Sequence, residues 1–425
     1  MSDDLNKMAL EYHRNPTAGK ISVQPTKRLA NQVDLSLAYS PGVAAACNEI
    51  KANPINAAEY TIRGNLVGVI TNGTAVLGLG NIGPLASKPV MEGKGVLFKK
   101  FADIDVFDIE VDASDPSKFI DTVAALEPTF GGINLEDIKA PECFIIEKAL
   151  REKMKIPVFH DDQHGTAICV AAALINGLRI IDKDISKANL VCSGAGAAAI
   201  ACLDLLVEMG MKPDNILVCD RTGVIHKGRK EDLDEYKLKY AVETNARDLT
   251  DAIDGADIFL GVSSEGVLSK EMVKKMSKRP LILALANPNP EILPEEVNDI
   301  RPDALIATGR SDYPNQVNNL IGFPYIFRGA LDVRAKAINE EMKVAAANAI
   351  ALLARENVPD EVVAAYGGDR PRYGKNYIIP STFDPRLISE IPAAVANAAI
   401  KSGAARKKID DFEVYKDQLT NRLDP

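Results

Sequence analysis

The chain has 425 residues, of which 46% are hydrophobic and 26% are charged, and its formal net charge is −9 at pH 7. This length exceeds one ordinary hydrophobic core and predicts two domains, and the composition is that of a soluble globular protein. The negative charge argues against nucleic acid or an anionic membrane surface as a partner, because both require a basic face.

The N-terminal segment opens with a predicted amphipathic helix. Its apolar residues recur at helical spacing: Leu5, Met8, Ala9 and Tyr12. This apolar stripe could pack on a partner subunit or on its own domain, and under the first interpretation we expect a homodimer or a higher homo-oligomer. A second helix start follows Tyr39, which by itself is typical of a packing residue.

Two apolar runs, Leu66 to Ile70 and Ala75 to Leu79, flank a turn and predict a β-hairpin. The second run leads into Leu77-Gly-Leu-Gly-Asn-Ile-Gly83, which matches the Gly-x-Gly-x-x-Gly pattern of dinucleotide-binding loops. We discount this match, because Pro84 and Pro89 would spoil the closely packed helix that such a loop requires.

Lys94 lies between two glycines at the head of an apolar segment. A lysine beside a divalent cation has a lowered pKa and can act as a base near neutral pH. The alternative is a solvated surface lysine, and only the acidic stretch that follows favours the catalytic role.

Residues 131–166 have the pattern of a strand, a helix, a second strand and the start of another helix. A helical crossover of this length makes the two strands parallel. Glu136 and Asp137 follow the first strand, and Asp161 and Asp162 follow the second. We therefore expect all four carboxylates at the carboxyl end of one sheet.

Four acids in one cleft would repel one another and raise one another's pKa values, so we expect a bound cation to keep them ionised. Oxygen ligands suit a hard ion, Mg²⁺ or Mn²⁺. The alternative is that these acids are loop and helix-cap residues that face water.

An almost entirely apolar helix, Ala167 to Leu178, is expected to be buried at the hinge between two domains. The predicted fold class is α/β, with an N-terminal α/β catalytic domain at 1–163 and a Rossmann-type dinucleotide-binding domain with C-terminal helices at 164–400. Residues 401–425 are charged and poor in apolar side chains, which predicts an exposed tail or linker.

A second glycine-rich loop carries the dinucleotide prediction. A strand is followed by Gly194-Ala195-Gly196-Ala197-Ala198-Ala199, which opens an apolar helix. Asp220 ends the next strand, 26 residues after Gly194, where a dinucleotide-binding fold places the acid that contacts the ribose. Farther along, Asn287 ends another predicted strand and is either a contact for nicotinamide or substrate, or a turn-former before Pro288.

Two further features predict a cytoplasmic location and no membrane span. The six cysteines contain no Cys-x-x-Cys pair and lie in apolar runs, as reduced core thiols do. The N-terminal residues lack the apolar core of a signal peptide, and the longest apolar run is too short to cross a bilayer.

Eight motifs occur in the order and spacing that malic enzymes share, and to about residue 400 the chain resembles that family, the metal-dependent oxidative decarboxylases of malate. The motifs are Tyr39-Ser-Pro-Gly-Val, Leu77-Gly-Leu-Gly-Asn, Glu92-Gly-Lys94, Leu135-Glu-Asp137, His160-Asp-Asp-Gln-His-Gly-Thr-Ala, Gly194-Ala-Gly-Ala-Ala-Ala, Ala286-Asn-Pro and Asn318-Asn319. The resemblance implies an enzyme that converts malate to pyruvate and CO₂ and reduces NAD or NADP.

The resemblance also implies roles for the matching residues. Tyr39 would be the general acid and Lys94 the general base, with Asp161 orienting Lys94. Lys94 would take the C2 hydroxyl proton during hydride transfer, and Tyr39 would protonate C3 after loss of CO₂. The divalent metal would be held by Glu136, Asp137 and Asp162, and substrate and nicotinamide would be contacted by Asn287 and Asn319.

Two features distinguish this chain within the family it resembles. Large eukaryotic members carry an arginine before the Leu-Gly-Leu-Gly run, where this chain has Ala75, so the usual clamp on a substrate carboxylate is absent or supplied elsewhere. The length and the Thr-Asn-Gly-Thr turn resemble the bacterial group, whose hybrid members continue into a phosphotransacetylase-like domain. We expect the chain either to be the catalytic part of such a protein or to stand alone.

The residues give opposing signs about which nicotinamide cofactor is used. Asp220 would accept a hydrogen bond from a ribose 2′-hydroxyl, which favours NAD. Arg221 follows it and could grip a 2′-phosphate, and Lys237 falls where NADP-preferring malic enzymes resemble one another in carrying a lysine. The intervening loop adds Lys227, Arg229 and Lys230. We therefore predict NADP in preference to NAD.

Three other functions compete with this interpretation. His160 and His164 stand four residues apart and, with the acids, could form a zinc hydrolase site, although a hydrolase would not need the dinucleotide loop. A redox-neutral, malolactic-type enzyme of the same family would retain its cofactor. A dinucleotide sensor without catalysis is the third, and the presence of Tyr39 and Lys94 argues against it.

Overall fold

The computed structural model describes residues 3–76 and 78–423, which contain two mainly parallel β-sheets that follow one another along the chain. The first half contains α1 (Asp3–Arg14), α2 (Gln32–Ala38), α3 (Val43–Ala52), α4 (Ala57–Tyr60), β1 (Leu66–Thr71), α5 (Gly83–Ala102), β2 (Asp105–Glu110), α6 (Pro116–Ala125), β3 (Gly132–Leu135), α7 (Glu142–Lys153) and β4 (Val158–His160). A turn of π-helix, Asp161–Gly165, then leads into α8 (Thr166–Ile181).

The second half begins with the central strand of the second sheet. Its elements are β5 (Leu190–Ser193), α9 (Ala197–Glu208), β6 (Ile216–Asp220), β7 (Gly223–Val224), α10 (Glu235–Leu238), α11 (Leu249–Ala252), β8 (Ile258–Gly261), α12 (Lys270–Lys275), β9 (Leu281–Ala284), α13 (Pro294–Ile300), β10 (Leu305–Thr308), α14 (Phe323–Asp332), α15 (Glu340–Arg355), α16 (Leu387–Lys401) and α17 (Phe412–Asn421). Short 3₁₀ turns connect several of them, at Pro54–Asn56, Ile62–Asn65, Glu127–Thr129, Pro213–Asn215, Asn319–Ile321 and Asp360–Tyr366.

The first sheet has the strand order β2-β1-β3-β4, and all its strand pairs are parallel. The chain runs from β1 outward to β2 and then returns to the other side for β3, so the strand order reverses between β1 and β3. In open α/β sheets this reversal forms a ligand crevice outside the carboxyl ends of the strands. Glu136 directly follows β3 and Asp161 directly follows β4, so both lie at that edge.

The second sheet has the strand order β10-β9-β8-β5-β6-β7, and every strand pair except that of the two-residue β7 is parallel. Here the reversal lies between β5 and β8, and α9 starts four residues after the end of β5. This is the arrangement of a Rossmann-type sheet. The predicted α/β fold class, with a Rossmann-type half and C-terminal helices, is confirmed.

The predicted hairpin of residues 66–70 and 75–79 is wrong. β1 is paired in parallel with β2 and β3, and it is buried along its whole length, so its hydrogen-bonding edges are already occupied. The following segment forms a loop in which Val76 and Gly80 make an isolated bridge, while Leu77 lies outside the described residues. A turn-like sequence between apolar runs therefore marks the end of a parallel strand here.

The reason for discounting the first glycine-rich match is also wrong. α5 begins directly after it, at Gly83, with Pro84 in its first turn and Pro89 inside the helix. Proline is tolerated in a first helical turn, because the backbone N–H groups of that turn have no intrahelical hydrogen-bond partner. α5 is the helix that carries Lys94, so the prolines do not prevent it from reaching the site.

α8 is the buried core helix that the sequence predicts. The helical stretch Asp161–Ile181 is long and apolar enough to cross a membrane by length and composition, but 72% of its most apolar window is buried inside the fold. Burial of this extent is typical of the core helix of a globular protein. The predicted cytoplasmic location is not tested by this observation and stays a prediction.

The C-terminal helices return to the first sheet. The Phe98 ring of α5 lies 4.8 Å from the Phe323 ring and 5.3 Å from the Phe327 ring of α14, with edge-to-face geometry in both pairs. α14 is thus packed on α5, and α16 packs on both α14 and α15. The domain boundary between residues 163 and 164 stays a prediction.

The prediction that residues 401–425 form an exposed tail or linker is wrong for residues 412–421. Residues 412–421 form α17, which packs on α16 and buries Tyr415 and Leu419. The Tyr415 hydroxyl donates a hydrogen bond to Oδ2 of Asp332 at 2.6 Å. Because Tyr415 and Leu419 stand four apart, they share one helical face, and two apolar side chains on that face suffice to dock a helix whose composition is mainly polar.

Replacing Leu419 by alanine tests whether α17 is part of the core. Leu419 is 1% exposed, so the truncation should leave a cavity and lower the free energy of unfolding by about 2–5 kcal/mol. Val414→Ala in the same helix is the control, because Val414 is 51% exposed. Urea unfolding followed by circular dichroism measures both. Equal midpoints for the two variants would contradict the packing of α17.

Candidate active site

Lys94 lies at the centre of a buried charged cluster at the carboxyl ends of β3 and β4. Its Nζ donates a hydrogen bond to Oδ2 of Asp161 at 2.7 Å and lies 2.8 Å from Oε1 of Glu136. It also lies 4.2 Å from the centre of the Phe323 ring. Lys94 is only 8% exposed, so the alternative that it is a solvated surface lysine is wrong.

Three carboxylates converge beside Lys94, those of Glu136, Asp137 and Asp162. One oxygen atom from each lies within 4.8 Å of the other two. Oδ2 of Asp162 accepts a hydrogen bond from the backbone N–H of Asp137 at 2.8 Å, which fixes the two chain segments together. Oδ2 of Asp137 is buried and has no hydrogen-bond partner among the described residues. A buried oxygen without a donor is costly, and a divalent cation would satisfy it.

The protonation behaviour of the cluster reflects burial and repulsion between like charges. Burial, together with the nearby Asp162 carboxylate, raises the pKa of Glu136 to about 7 and that of Asp137 to about 8. Burial also raises the pKa of Asp162 to about 6, although Lys94 opposes this. Burial alone would lower the pKa of Lys94, but the carboxylates of Asp161 and Glu136 raise it above its ordinary value. The acids thus repel one another, as the sequence predicts, and Lys94 is a cation that partly neutralises them.

Two amides hold the carboxylates in place. Nδ2 of Asn319 donates a hydrogen bond to Oδ2 of Asp161 at 2.5 Å, and Nδ2 of Asn134 donates one to Oε2 of Glu136 at 2.8 Å. The structure therefore brings the predicted residue Asn319 to this cluster. Asn134 is a site residue that the sequence analysis missed, although Asn134 and Glu136 stand two apart at the end of a strand and alternate residues of a strand share a face.

A second site lies at the carboxyl ends of β5 and β6. A cavity of about 830 Å³ is lined there by Gly194, Ala195, Gly196, Asp220, Arg221 and Lys237, together with other residues. Gly194 has a φ of +118°, and a Cβ atom on it would lie 2.6 Å from the carbonyl oxygen of Val262, so only glycine fits. α9 begins at Ala197, next to this loop, and the free N–H groups of a helix start suit a pyrophosphate.

The three alanines of the predicted loop belong to α9. Ala197 and Ala198 lie in its first turn, and Ala199 is buried in the core at 1% exposure. Small side chains there let α9 pack closely on the sheet, which is the role of the third small residue in a dinucleotide-binding loop. Gly194, Ala195 and Gly196 line the cavity, and the two glycines can present only backbone atoms to it.

Asp220 is held by two cations at the edge of this cavity. Its Oδ2 lies 2.8 Å from Nη2 of Arg229 and 3.1 Å from Nζ of Lys237. Burial would raise the pKa of Asp220, but these hydrogen bonds lower it. Arg221 is exposed and also lines the cavity. In the sequence Arg229 is only one of several basic residues of this loop, because its contact with Asp220 depends on how the chain turns back after β7.

Two protein-family models match the chain in succession and cover both sites. The malic enzyme N-terminal domain matches residues 18–151, and the malic enzyme NAD binding domain matches residues 163–364. The chain belongs to the malic enzyme family.

Similar malic enzymes come from several organisms. The chain is 65% identical over 421 residues to the NADP-dependent malic enzyme of Escherichia coli (strain K12), covering 99% of this chain and 56% of that protein. It is 62% identical over 418 residues to the NAD-dependent malic enzyme of Rhizobium meliloti (strain 1021), covering 98% and 54%. It thus spans about half the length of these curated relatives. Whether a phosphotransacetylase-like domain accompanies it stays a prediction.

A solved malic enzyme structure has the same fold. The crystal structure of malic enzyme from Pyrococcus horikoshii matches with a TM-score of 0.90 and 44% sequence identity, covering 99% of this chain and 96% of that chain. The shared fold includes both sheets described above.

Two residues with predicted malic enzyme roles form no hydrogen bond with the described residues of the acidic cluster and do not line the dinucleotide cavity. Tyr39 directly follows α2 and is 72% exposed, and its hydroxyl forms no hydrogen bond within residues 3–76 and 78–423. Asn287 is exposed, and its amide donates a hydrogen bond to the Leu285 carbonyl oxygen at 3.4 Å. Neither lines the dinucleotide cavity. Their proposed contacts with substrate and nicotinamide stay predictions.

Ala75 stands where the large malic enzymes carry a substrate-binding arginine. Its backbone N–H donates a hydrogen bond to the carbonyl oxygen of Asp137 at 3.0 Å, so this position borders the acidic cluster. A methyl group cannot hold a carboxylate, and the described residues do not identify a replacement cation there.

The zinc hydrolase alternative that uses His160 and His164 is not favoured. His160 is fully buried, and its Nδ1 lies 3.7 Å from Oδ2 of Asp162. Nε2 of His164 lies 2.8 Å from Oε1 of Glu147, and Lys343 donates a hydrogen bond to its Nδ1 at 3.1 Å. Both nitrogen atoms of His164 are therefore occupied, and within the described residues the group able to hold a metal consists of carboxylates.

Proposed function

We propose that the chain catalyses the metal-dependent oxidative decarboxylation of malate to pyruvate and CO₂, with reduction of NADP⁺. The observation that carries this proposal is the buried Lys94, held between Asp161 and Glu136 beside three convergent carboxylates. A lysine, an acidic metal site and a dinucleotide crevice in one chain are the parts that this reaction needs. Membership of the malic enzyme family supports the same assignment.

The carboxylates of Glu136, Asp137 and Asp162 would hold Mg²⁺ or Mn²⁺. The fit rests on an all-oxygen ligand set, on the unpartnered Oδ2 of Asp137, and on burial-raised pKa values that a cation would reverse. When bound, the ion supplies a Lewis acid that polarises the C2 oxygen of malate. The positive charge would also release Lys94 from neutralising these acids.

Lys94 is the proposed base for the C2 hydroxyl proton. It is buried, it is aimed at the cluster by Asp161, and Asn319 in turn fixes Asp161. Because Asp161 is hydrogen-bonded from two sides, it holds Nζ of Lys94 in one orientation. A bound divalent cation would lower the pKa of Lys94, so that the neutral amine could take the proton. The Phe323 ring over Nζ excludes water from this side of the lysine.

Asp162→Asn tests the proposed metal site. The substitution keeps the size of the side chain but removes one charged ligand, so the affinity for Mn²⁺ should fall by about 10-fold or more. Electron paramagnetic resonance of free Mn²⁺ measures binding without any need for turnover. Asp121→Asn, at an exposed carboxylate paired with Lys153, is the control and should bind Mn²⁺ as the wild type does. Unchanged binding in Asp162→Asn would contradict the metal site.

We further propose that the chain forms a homodimer in which Tyr39 reaches the site of the partner subunit and acts as the acid that protonates C3. No residue of α2 or α3 is buried. Large apolar side chains are exposed from α1 to the start of α3: Leu5, Met8, Leu10, Tyr12, Ile21, Val23, Leu29, Val33, Leu35, Leu37 and Val43. An apolar surface of this extent is typical of a protein interface.

A second copy of the chain is the partner that best accounts for this exposed apolar surface. Lys94 is in place, but Tyr39 of the same chain points into solvent at 72% exposure and contacts neither cluster. A two-fold dimer would bury the same surface of both copies and could deliver each Tyr39 to the other copy. Under this proposal, the acid that protonates C3 comes from the second copy.

A mixed dimer of one Tyr39→Phe subunit and one Lys94→Ala subunit tests this arrangement. If Tyr39 acts in the partner subunit, the mixed dimer combines one intact site with one doubly altered site and should recover about half of the wild-type activity, while each homodimer is inactive. Co-expression with two different affinity tags isolates the mixed dimer, and absorbance of the reduced cofactor gives the rate. No recovery would place Tyr39 in the site of its own chain. A mixed dimer of Tyr39→Phe with wild type controls for assembly.

NADP is the proposed cofactor. Asp220 is already paired with Arg229 and Lys237, so its negative charge is offset, and Arg221 adds a further cation at the same cavity. Asp232 also pairs with Lys237 at 3.0 Å, and a 2′-phosphate at this edge could form charge-assisted hydrogen bonds with Arg221 and Lys237. An isolated Asp220 would instead favour the 2′-hydroxyl of NAD.

Arg221→Ala combined with Lys237→Ala tests the choice of cofactor. The KM for NADP⁺ should rise by about 10-fold or more, because a lost charge-assisted phosphate contact costs about 1.5–3 kcal/mol, and the KM for NAD⁺ should change little. Arg229 still pairs with Asp220 in this variant, so the acid is not left alone. Lys227→Ala, in the same loop, is the control. An equal rise for both cofactors would contradict the proposal.

One assay separates this function from the remaining alternatives. Malate, Mn²⁺ and either NADP⁺ or NAD⁺ are mixed with the protein, and both the reduced cofactor and the organic product are measured. A malolactic-type enzyme would consume malate without net reduction of the cofactor, and a sensor would bind the dinucleotide without consuming malate.

A further inference from the structure

Glu291 is a buried carboxylate that the proposed reaction does not use. It is 0% exposed. Its Oε1 accepts hydrogen bonds from the backbone N–H of Ser263 at 2.9 Å and from the Ser263 hydroxyl at 3.2 Å. Its Oε2 accepts a hydrogen bond from the backbone N–H of Ala286 at 3.0 Å. The two carboxylate oxygens therefore bind two different segments of the chain, which lie 28 and 5 residues before Glu291.

These hydrogen bonds connect the carboxyl ends of three neighbouring strands. Ser263 lies two residues after β8, and Ala286 lies two residues after β9 and directly before Asn287. The Ser263 hydroxyl also lies 2.8 Å from the Ser193 hydroxyl at the end of β5. The close fit is visible at Gly261, where an added Cβ would lie 2.6 Å from Oε1 of Glu291. Glu291 thus fixes the spacing between the loops at one side of the crevice.

The position of these loops in the sheet indicates which half of the dinucleotide they would contact. A Rossmann-type fold binds the two nucleotide halves on the two sides of the point where the strand order reverses. Asp220 ends β6, on one side of β5, where the adenosine ribose binds. β8 and β9 lie on the other side, so Ser263 and the loop of Asn287 border the nicotinamide half.

We infer that Glu291 is a positioning residue for the nicotinamide half of the cofactor, which it serves by holding the loops of Ser263 and Asn287 at the crevice. This inference rests on the proposed function, because it requires a bound nicotinamide dinucleotide. A carboxylate accepts hydrogen bonds at both oxygens, whereas glutamine has the same shape but accepts at only one. Glu291→Gln therefore leaves one buried backbone N–H without an acceptor and moves one of the two loops.

The test compares two ligands on the same variant. Glu291→Gln should weaken binding of NADPH, measured by its fluorescence, by roughly 10-fold. Binding of 2′,5′-ADP, which lacks the nicotinamide half, should remain within about twofold of the wild type by calorimetry, because Gly194, Gly196 and Asp220 are untouched. Glu271→Gln is the control, since Glu271 is an exposed acid on α12. It should leave both affinities unchanged.

The two affinities of Glu291→Gln decide whether Glu291 positions the nicotinamide half. Unchanged NADPH binding would overturn it, and an equal loss of both ligands would show that Glu291 only supports the domain as a whole. If Glu291→Gln fails to fold, Glu291→Asp, which keeps both acceptors on a shorter side chain, is judged by the same two affinities. A wild type that binds neither NADPH nor NADH would contradict the proposed function instead, and this failure is recognisable because it appears without any substitution.

Discussion

Concentration of negative charge at the carboxyl ends of β3 and β4 is the constraint on which the catalytic half depends. Glu136, Asp137, Asp161 and Asp162 are delivered there by two adjacent parallel strands, and burial makes their ionised forms costly. Lys94 supplies one compensating charge at hydrogen-bond distance. One lysine cannot neutralise four acids, and this imbalance supports the proposal of a bound divalent cation.

The same constraint connects the two halves of the chain. Asn319, from the segment before α14, donates to Asp161, and Phe323 at the start of α14 covers Lys94. The Phe98–Phe323 contact then fixes α14 on α5. The acidic cluster is therefore built from residues more than 200 positions apart, and its geometry depends on correct packing of the C-terminal helices against the first sheet. A change in that packing would move the amide that orients Asp161.

The sequence predicts those parts of the fold that local pattern determines. The buried helix α8, the strand and loop at Gly194, and the four acids at two strand ends all follow from short-range periodicity and from the parallel crossover rule. The hairpin and the exposed tail were mispredicted because pairing of β1 and docking of α17 are decided by distant partners. The hydrogen bond from Asn319 to Asp161 spans 158 positions, and no local pattern contains it.

Pairing at Asp220 illustrates why the same residue can indicate opposite cofactors. An unpaired acid at the end of β6 would present a lone negative charge to the ribose, as the sequence pattern suggests. Arg229 at 2.8 Å and Lys237 at 3.1 Å offset that charge, although Asp232 also pairs with Lys237 at 3.0 Å, and the exposed Arg221 lines the same cavity. Because Asp220 also fixes the two cations by hydrogen bonds, it pre-organises them for an anionic ligand. Under the proposed function, the acid therefore serves to hold these cations near the 2′ position of the cofactor.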